Sequence, residues 1–292
     1  MNRRTFVSAA SVAVLGAGRL RLPAAPFLPD PPIGIVAATL ATFMDHRQRA
    51  GLALAELPKV IRGETGIRIL DMNTMNFPSF EPALLERFRT VAMREDCVLT
   101  NLKMNQSGLD LSSPDAETRK RSLQTYKSSI DAAVRMGMRW VRPLPAAKVV
   151  RRHLLIDGLR ELADYAGQRN IGVLVENYGW MQADADAVPD LISEVRRDLL
   201  AAPDTGNWAN NEVRYTGLAR CFPQAVTCDF KVKYLGPKGQ HPAYDLERCF
   251  RIGREAGYRG PWCIEHGHRE MKELLREHVQ IREMLERWLR EA

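Results

Sequence analysis

From residue 33 onward, short apolar runs alternate with longer segments that repeat at helical spacing. The apolar runs fall at 33–43, 66–75, 97–105, 138–145, 171–179, within 199–208, at 225–235 and at 260–268. Their length and β-branched content predict strands. Between and after them, segments with apolar residues on one helical face predict helices over 49–61, 82–96, 116–136, 155–170, 188–200, 211–221, 245–258 and 271–292. Eight strands alternating with eight helices in about 250 residues imply parallel pairing with right-handed crossovers, and eight such units suffice to close a single-domain α/β (β/α)8 TIM barrel. An open doubly wound sheet is the rival. No GxGxxG motif follows the first strand, which weakens the dinucleotide-binding form of that rival.

The first 25 residues read differently. Arg3 and Arg4 precede Phe6 and the small-residue run VSAASVAVLGAG, a basic start and a short apolar stretch that predict a twin-arginine-like signal peptide over 1–25 and a Pro-rich linker over 26–32. The expected partner is the twin-arginine export machinery, with a periplasmic or extracellular destination, anchored if the signal is not cleaved. This segment also changes the meaning of the charge. The chain carries a formal net charge of +7, but four arginines and no acid lie in the leader, so the barrel itself is only mildly basic. No basic block with interleaved aromatics occurs, which argues against a nucleic-acid partner. Five cysteines without a CxxC pair argue against a disulfide framework or a structural zinc site. Unpaired thiols suit export of an already folded protein.

In a barrel of this type the chemistry sits at the C-terminal ends of the strands. The polar residues predicted there are Asp71 on the second strand, Asn101 and Lys103 on the third, Arg142 on the fourth, Glu176 and Asn177 on the fifth, Asp204 on the sixth, Asp229, Lys231 and Lys233 on the seventh, and Glu265 with His266 on the eighth. Carboxylates thus end four consecutive strands. Acids are costly inside a barrel unless paired with cations or bound to a metal. In TCDFKVK, period two places Cys228, Phe230 and Val232 on one face and Asp229, Lys231 and Lys233 on the other, so the charged face points inward. A salt-bridge network without metal is the alternative reading. Within CIEHGH (263–268), Glu265 shares the inward parity of Cys263; His266 has the opposite parity and is a candidate substrate contact, whereas His268 reads as a loop residue.

VENYG around Glu176, PDTGN around Asp204, GYRGPWCIE ending at Glu265, and SSIDAAVRMGMRWVRP (128–143) resemble the xylose isomerase-like TIM barrel superfamily across essentially 33–292. The resemblance implies one divalent metal held by Glu176, Asp204 and Glu265, with a strand-seven residue that the family often supplies as His in His-x-Lys. This chain reads Asp229-Phe230-Lys231, so Asp229 takes that ligand position, and an all-oxygen set favours Mn²⁺ or Mg²⁺ over Zn²⁺. If the metal is lost, Lys231 supplies the positive charge. The implied reaction is sugar isomerisation or epimerisation by proton abstraction next to a carbonyl through an enediolate, with Glu176 and Glu265 as the acid–base pair. Asp71, Asn101, Lys103, Arg142, Asn177, Lys231 and His266 are the expected contacts to a small carbohydrate, with Tyr178 and Trp180 as candidate stacking rings. The same apparatus would serve a dehydratase or lyase carrying out β-elimination on a sugar acid or oxidised glycoside. A superfamily endonuclease needs a histidine-rich multi-metal site, and the chain has six histidines. A non-catalytic exported sugar-binding barrel is the alternative of a different class, and homo-oligomerisation is left open.

Overall fold

The computed structural model describes residues 28–144, 148–149, 151–236 and 239–291. The leader predicted over 1–25 lies outside the described residues, as does the start of the linker. Among the described residues the eight βα units are present. The strands are β1 (Ile33–Val36), β2 (Ile69–Asn73), β3 (Val98–Met104), β4 (Trp140–Pro143), β5 (Gly172–Val175), β6 (Leu199–Ala201), β7 (Cys228–Lys231) and β8 (Trp262–Glu265). The helices are α1 (Leu57–Thr65), α2 (Pro82–Arg94), α3 (Ala116–Met136), α4 (Arg152–Gly167), α5 (Ala187–Val195), α6 (Asn211–Cys221), α7 (Leu246–Glu255) and α8 (Met271–Glu291). Every pairing in the sheet is parallel, in the order β6-β5-β4-β3-β2-β1-β8-β7. The ends meet through isolated bridges Ala201↔Ala225 and Asp204↔Asp229. There Val226 N donates to Ala201 O (3.2 Å), Asp229 N to Pro203 O (2.9 Å) and Thr205 N to Asp229 O (2.9 Å). The single-domain TIM barrel closes through these bonds.

Local chemistry sets the helix starts. Pro58 and Pro82 sit in the first turns of α1 and α2, where a missing N–H costs nothing. The side chains of Asp115, Asn210 and Asp245 cap α3, α6 and α7 by accepting from the N–H groups of Thr118, Val213 and Arg248. Two predicted boundaries are corrected. The run 33–43 is strand only to Val36; Ala37–Phe43 turns into a 3-10 helix, because once the chain clears the barrel rim Thr39 Oγ1 folds back to donate to Val36 O at 2.9 Å. The helix predicted over 188–200 stops at Val195, where Arg196 adopts a left-handed φ of 53°, and Leu199 and Leu200 enter β6.

Two layers make the barrel a platform for the site. Outside, Phe230 and Trp262 from the strands pack against Phe250 of α7 and Trp288 of α8, and both strand residues are buried. Inside, one apolar cluster joins Val36, Ile69 and Cys263, and another joins Trp140, Leu174 and Ala202. These fill the lumen in layers. One pleat further along the same strands come Asp71, Arg142, Glu176, Asp204 and Glu265. The charged ring therefore rests on an apolar plug, whose low local dielectric strengthens the electrostatic interactions above it. The five cysteines are free and buried. No helix among the described residues is long and apolar enough to cross a membrane.

Candidate active site

Glu176, Asp204 and Asp229 converge at the C-terminal mouth. One carboxylate oxygen from each lies within 4.8 Å of the others, and all three side chains are buried. Alternation delivers them: Asp229 shares the inward face of β7 with Lys231, while Glu176 and Asp204 follow the last residues of β5 and β6 on the parity of Leu174 and Ala202. Asp204 opens a tight turn in which its Oδ1 accepts from Gly206 N (2.7 Å) and Asn207 N (3.0 Å), fixing that oxygen. Its Oδ2 accepts from Lys231 Nζ at 2.7 Å.

Three cations interleave with the acids. Lys103 Nζ donates to Asp229 Oδ2 and stands 3.9 Å from Asp71 Oδ2. Arg142 Nε lies 2.9 Å from Glu176 Oε2. Lys231 bridges Asp204 and, at 2.9 Å, Glu265 Oε1. Five carboxylates thus face three cations, an excess of two negative formal charges. Among the described residues the buried Asp71 Oδ1 and Asp229 Oδ1 remain without a hydrogen-bond partner, and Glu176 Oε2 has only its ion pair with Arg142. Such groups are rare in folded proteins and mark a missing ligand or a functional charge. An excess of two negative charges, orphaned carboxylate oxygens and an oxygen-only donor set fit a hard divalent cation.

The electrostatics follow from burial. Burial pushes the Asp204 carboxyl up to about 6, against Lys231 and with help from Glu265 and Glu176. It likewise lifts Asp71 to about 6, against Lys103 and Asn101, and drives Asp229 well above the usual carboxylate range despite Lys103. Glu176 differs: burial opposes its charge, but Arg142, Lys103, Lys231 and Asn207 together hold it below its ordinary value. Lys103 and Lys231 are desolvated too, yet their acid neighbours hold both ammoniums above the usual lysine range. The site therefore holds firmly charged cations beside acids that differ in their readiness to give up a proton.

The structure sorts the predicted residues. Glu265 lies outside the three-acid cluster; its side chain is 27% exposed and paired to Lys231, which makes it the most open carboxylate of the ring. Asn101 Nδ2 donates to Asp71 Oδ2 at 3.3 Å. Lys233 is exposed beyond the end of β7, not on the inner wall. Two expected substrate contacts already have partners within the chain. Asn177 is fully buried; its Oδ1 accepts from Asp204 N (2.8 Å) and its Nδ2 donates to Asp204 O (3.0 Å) and Asn207 O (2.8 Å). It ties two loops together and has no group to spare. His266 is also buried, turned away from the lumen towards α8, with Nδ1 against Val232 O and Nε2 2.6 Å from Glu277 Oε2 of α8. Trp180 packs under the Arg152 guanidinium at 5.1 Å. Sequence reasoning missed Asn207, whose amide donates to Glu176 Oε1 at 3.0 Å while its Oδ1 accepts from Lys231 at 3.1 Å. It also missed Thr205, whose Oγ1 accepts from Lys231 N at 2.9 Å, and Tyr244, whose hydroxyl donates to Lys231 O at 2.5 Å. The Thr-Gly-Asn that follows Asp204 was the available signal.

A closed barrel with a buried carboxylate ring at its catalytic rim is one defined class of fold and site. The chain belongs to the xylose isomerase-like TIM barrel family, whose profile matches residues 63–292. No curated protein matches it. Among solved structures it resembles a D-psicose 3-epimerase from Clostridium cellulolyticum H10 crystallised with D-tagatose (13% identity, 88% of this chain and 98% of that one, TM-score 0.70). It is also similar to a 3-keto-D-glucoside 4-epimerase from E. coli (15% identity, 89% and 99% covered, TM-score 0.64). A third is a xylose isomerase-like TIM barrel protein from Mycobacterium smegmatis in complex with magnesium (20% identity, 86% and 96% covered, TM-score 0.59). At these identities the likeness establishes the fold.

Proposed function

We propose that the protein is a divalent-metal-dependent sugar isomerase or epimerase that moves a proton on a carbon next to a carbonyl. The observation that carries this reading is the convergence of Glu176, Asp204 and Asp229 within 4.8 Å in a ring with two uncompensated negative charges. Those three side chains would hold the ion, Mn²⁺ or Mg²⁺ by their hardness. When bound, the metal supplies Lewis-acid polarisation of the substrate oxygens and offsets the charge of an enediolate.

The remaining roles belong to the chain. Glu265 and Glu176 stand three strands apart around the barrel and can address opposite faces of one carbon, as acid–base exchange with inversion requires. Glu265 is the open partner, with Lys231 beside its Oε1 to orient it. Arg142 and Asn207 fix Glu176 in one rotamer and keep it ionised, ready to accept a proton. Lys103 and Arg142 offer N–H donors to hydroxyls above the apolar plug. That epimerases on keto-sugars and a keto-glucoside share this fold supports a carbohydrate as the small-molecule substrate. In D₂O with Mn²⁺, the expected result is deuterium at the carbon next to the carbonyl of a keto-sugar. Release of water or of an aglycone in the same assay would assign the site to β-elimination instead.

A specific observation favours one alternative. Lys231 already bridges Asp204 and Glu265, and Lys103 already caps Asp229, so the network can neutralise most of its own charge. Under that reading the ammonium of Lys231 stabilises the developing oxyanion without a metal, and exchange in D₂O would persist after treatment with EDTA.

A further inference from the structure

The loops after β1, β2 and β3 border a second, open cleft on the same face of the barrel. It measures about 550 Å³ and is lined by residues that include Arg47, Phe80, Ser79, Asn105 and Gln106, a volume typical of small-molecule sites. Its position relative to the carboxylate ring follows from the strands. Lys103, which touches Asp229, sits opposite Asn73 in the β2–β3 register. Asn105 is two residues beyond Lys103 on the same inward parity, about 7 Å further out along the strand direction. Thr74, another lining residue, directly follows Asn73. The space therefore begins one pleat outward from the reacting ring, at the distance of a neighbouring sugar unit.

Its walls are built and held. Arg47 Nε donates to Met75 O at 3.3 Å and His46 Nε2 meets the same oxygen at 3.2 Å, joining the first loop to the second. Gln106 Nε2 donates to Ser129 Oγ at 2.9 Å, pinning the third loop to α3. Phe80 is half-buried and stands edge-to-face on Phe77 (6.0 Å between centroids), which in turn stands on the buried Phe88 at 5.4 Å. That stack braces the Phe80 ring from behind. Besides the apolar Met75, Phe77 and Pro78, the rest of the lining is neutral polar, with a single cation and no carboxylate. This differs from the charged ring beside it. An aromatic floor with neutral hydrogen-bonding groups at the rim matches a pyranoside, which pairs an apolar C–H face with a belt of hydroxyls. A metal would find no carboxylate there, and an anionic cofactor only the single guanidinium of Arg47.

We infer that this space is a glycosyl subsite, so that the substrate is a glycoside or disaccharide whose reacting sugar lies over the carboxylates while its second ring stacks on Phe80. The inference rests on the proposed sugar chemistry and names its substrate class. The test uses the full chain with Mn²⁺ and measures calorimetric binding of D-fructose and of three ketose disaccharides linked through different hydroxyls: turanose, lactulose and isomaltulose. At least one disaccharide is expected to bind about tenfold tighter than fructose. Phe80→Ala removes the floor, and Ser79→Trp fills the space from an exposed position that folding tolerates. Each is expected to erase that advantage. The inference is overturned if no disaccharide binds more tightly than fructose, or if the advantage survives both variants. A separate readout covers the reaction. If the disaccharide advantage and its loss in the variants are seen but no sugar takes up deuterium from D₂O, the subsite stands and the isomerase reading fails.

Discussion

Lys103→Met tests the electrostatic account of the site in a single substitution. Lys103 is 3% exposed and its partners Asp229 and Asp71 are 1% and 0% exposed. Methionine keeps most of the stem volume but strands both carboxylates in the barrel interior. Breaking a buried ion pair by removing one partner costs about 3–5 kcal/mol, mostly for the charge left behind. A Coulomb estimate for the 3.9 Å Lys103–Asp71 pair alone gives about 4 kcal/mol at an effective dielectric of about 20. The cost must also depend on pH. Burial already raises Asp71 to about 6 and Asp229 well above its ordinary value. Lys103 lowers both carboxyls, so its loss raises them further; a protonated carboxyl strands no charge, and the penalty therefore grows as the pH rises above about 6 and is smallest below it. The assay is urea unfolding followed by tryptophan fluorescence, in EDTA, at pH 7.5 and 5.5. The double variant Lys103→Met/Asp229→Leu replaces a pair by apolar groups and should recover most of the loss. A single variant within about 1 kcal/mol of the parent at pH 7.5, the range of exposed pairs, would refute the reasoning. So would a double variant no more stable than the single.

Three further outcomes follow from the same geometry. Because Asp204 carries a raised carboxyl at about 6, Asp229 is raised as well, and both must be ionised to ligate, the apparent Mn²⁺ affinity should climb as the pH rises through about 6, read by calorimetry. Gly206→Ala would place a Cβ 2.6 Å from Lys231 Cδ and 2.9 Å from the Tyr244 hydroxyl; displacement of Lys231 from Asp204 should lower deuterium exchange by about 10²-fold or more, as small misplacements at a reacting centre do, with stability falling much less. His278 in α8 is buried with Nε2 unpartnered, and burial lowers it from 6.5 to about 4. Its contribution to stability is complete above pH 6.5 and is lost as the pH falls to 4, about 3 kcal/mol in all; His278→Met should flatten the unfolding free energy over that window.

Much of the architecture is legible in the sequence, because apolar spacing follows directly from which faces are buried. The helix predicted over 116–136 is α3 with the same bounds, set by Asp115 at the N-cap and by Gly137, whose φ of 73° closes the C-terminus. The inward and outward faces of β7 follow from period two alone. What the sequence leaves unread depends on non-local geometry. The run Ala37–Phe43, apolar but for Thr39 and Thr42, looks like a continued strand, because an apolar run carries no mark of where the sheet stops pairing. The strands are shorter than predicted for the same reason. At the site, residue type and parity place the carboxylates but not their partners. Asn177 and His266 satisfy every expectation for rim contacts, yet Asp204, Asn207, Val232 and Glu277, which come from other strands and from α8, use up their hydrogen-bonding groups. Glu265 is separated from the other three acids by Lys231, a contact between neighbouring strands that spacing along one chain does not encode. The second space over β1–β3 is formed by three loops, which pattern reading treats as connectors.

Most of the proposed chemistry depends on a divalent cation held by Glu176, Asp204 and Asp229. Elemental mass spectrometry tests it on protein purified without chelators or a nickel column, then incubated with Mn²⁺ and desalted. The account predicts about one metal ion per chain in the parent, from the one-site stoichiometry of a three-carboxylate cage, and loss of that ion in Asp204→Asn. Metal-free parent protein after Mn²⁺ loading would contradict it and leave Lys231, between Asp204 and Glu265, as the positive charge that stabilises an oxyanion.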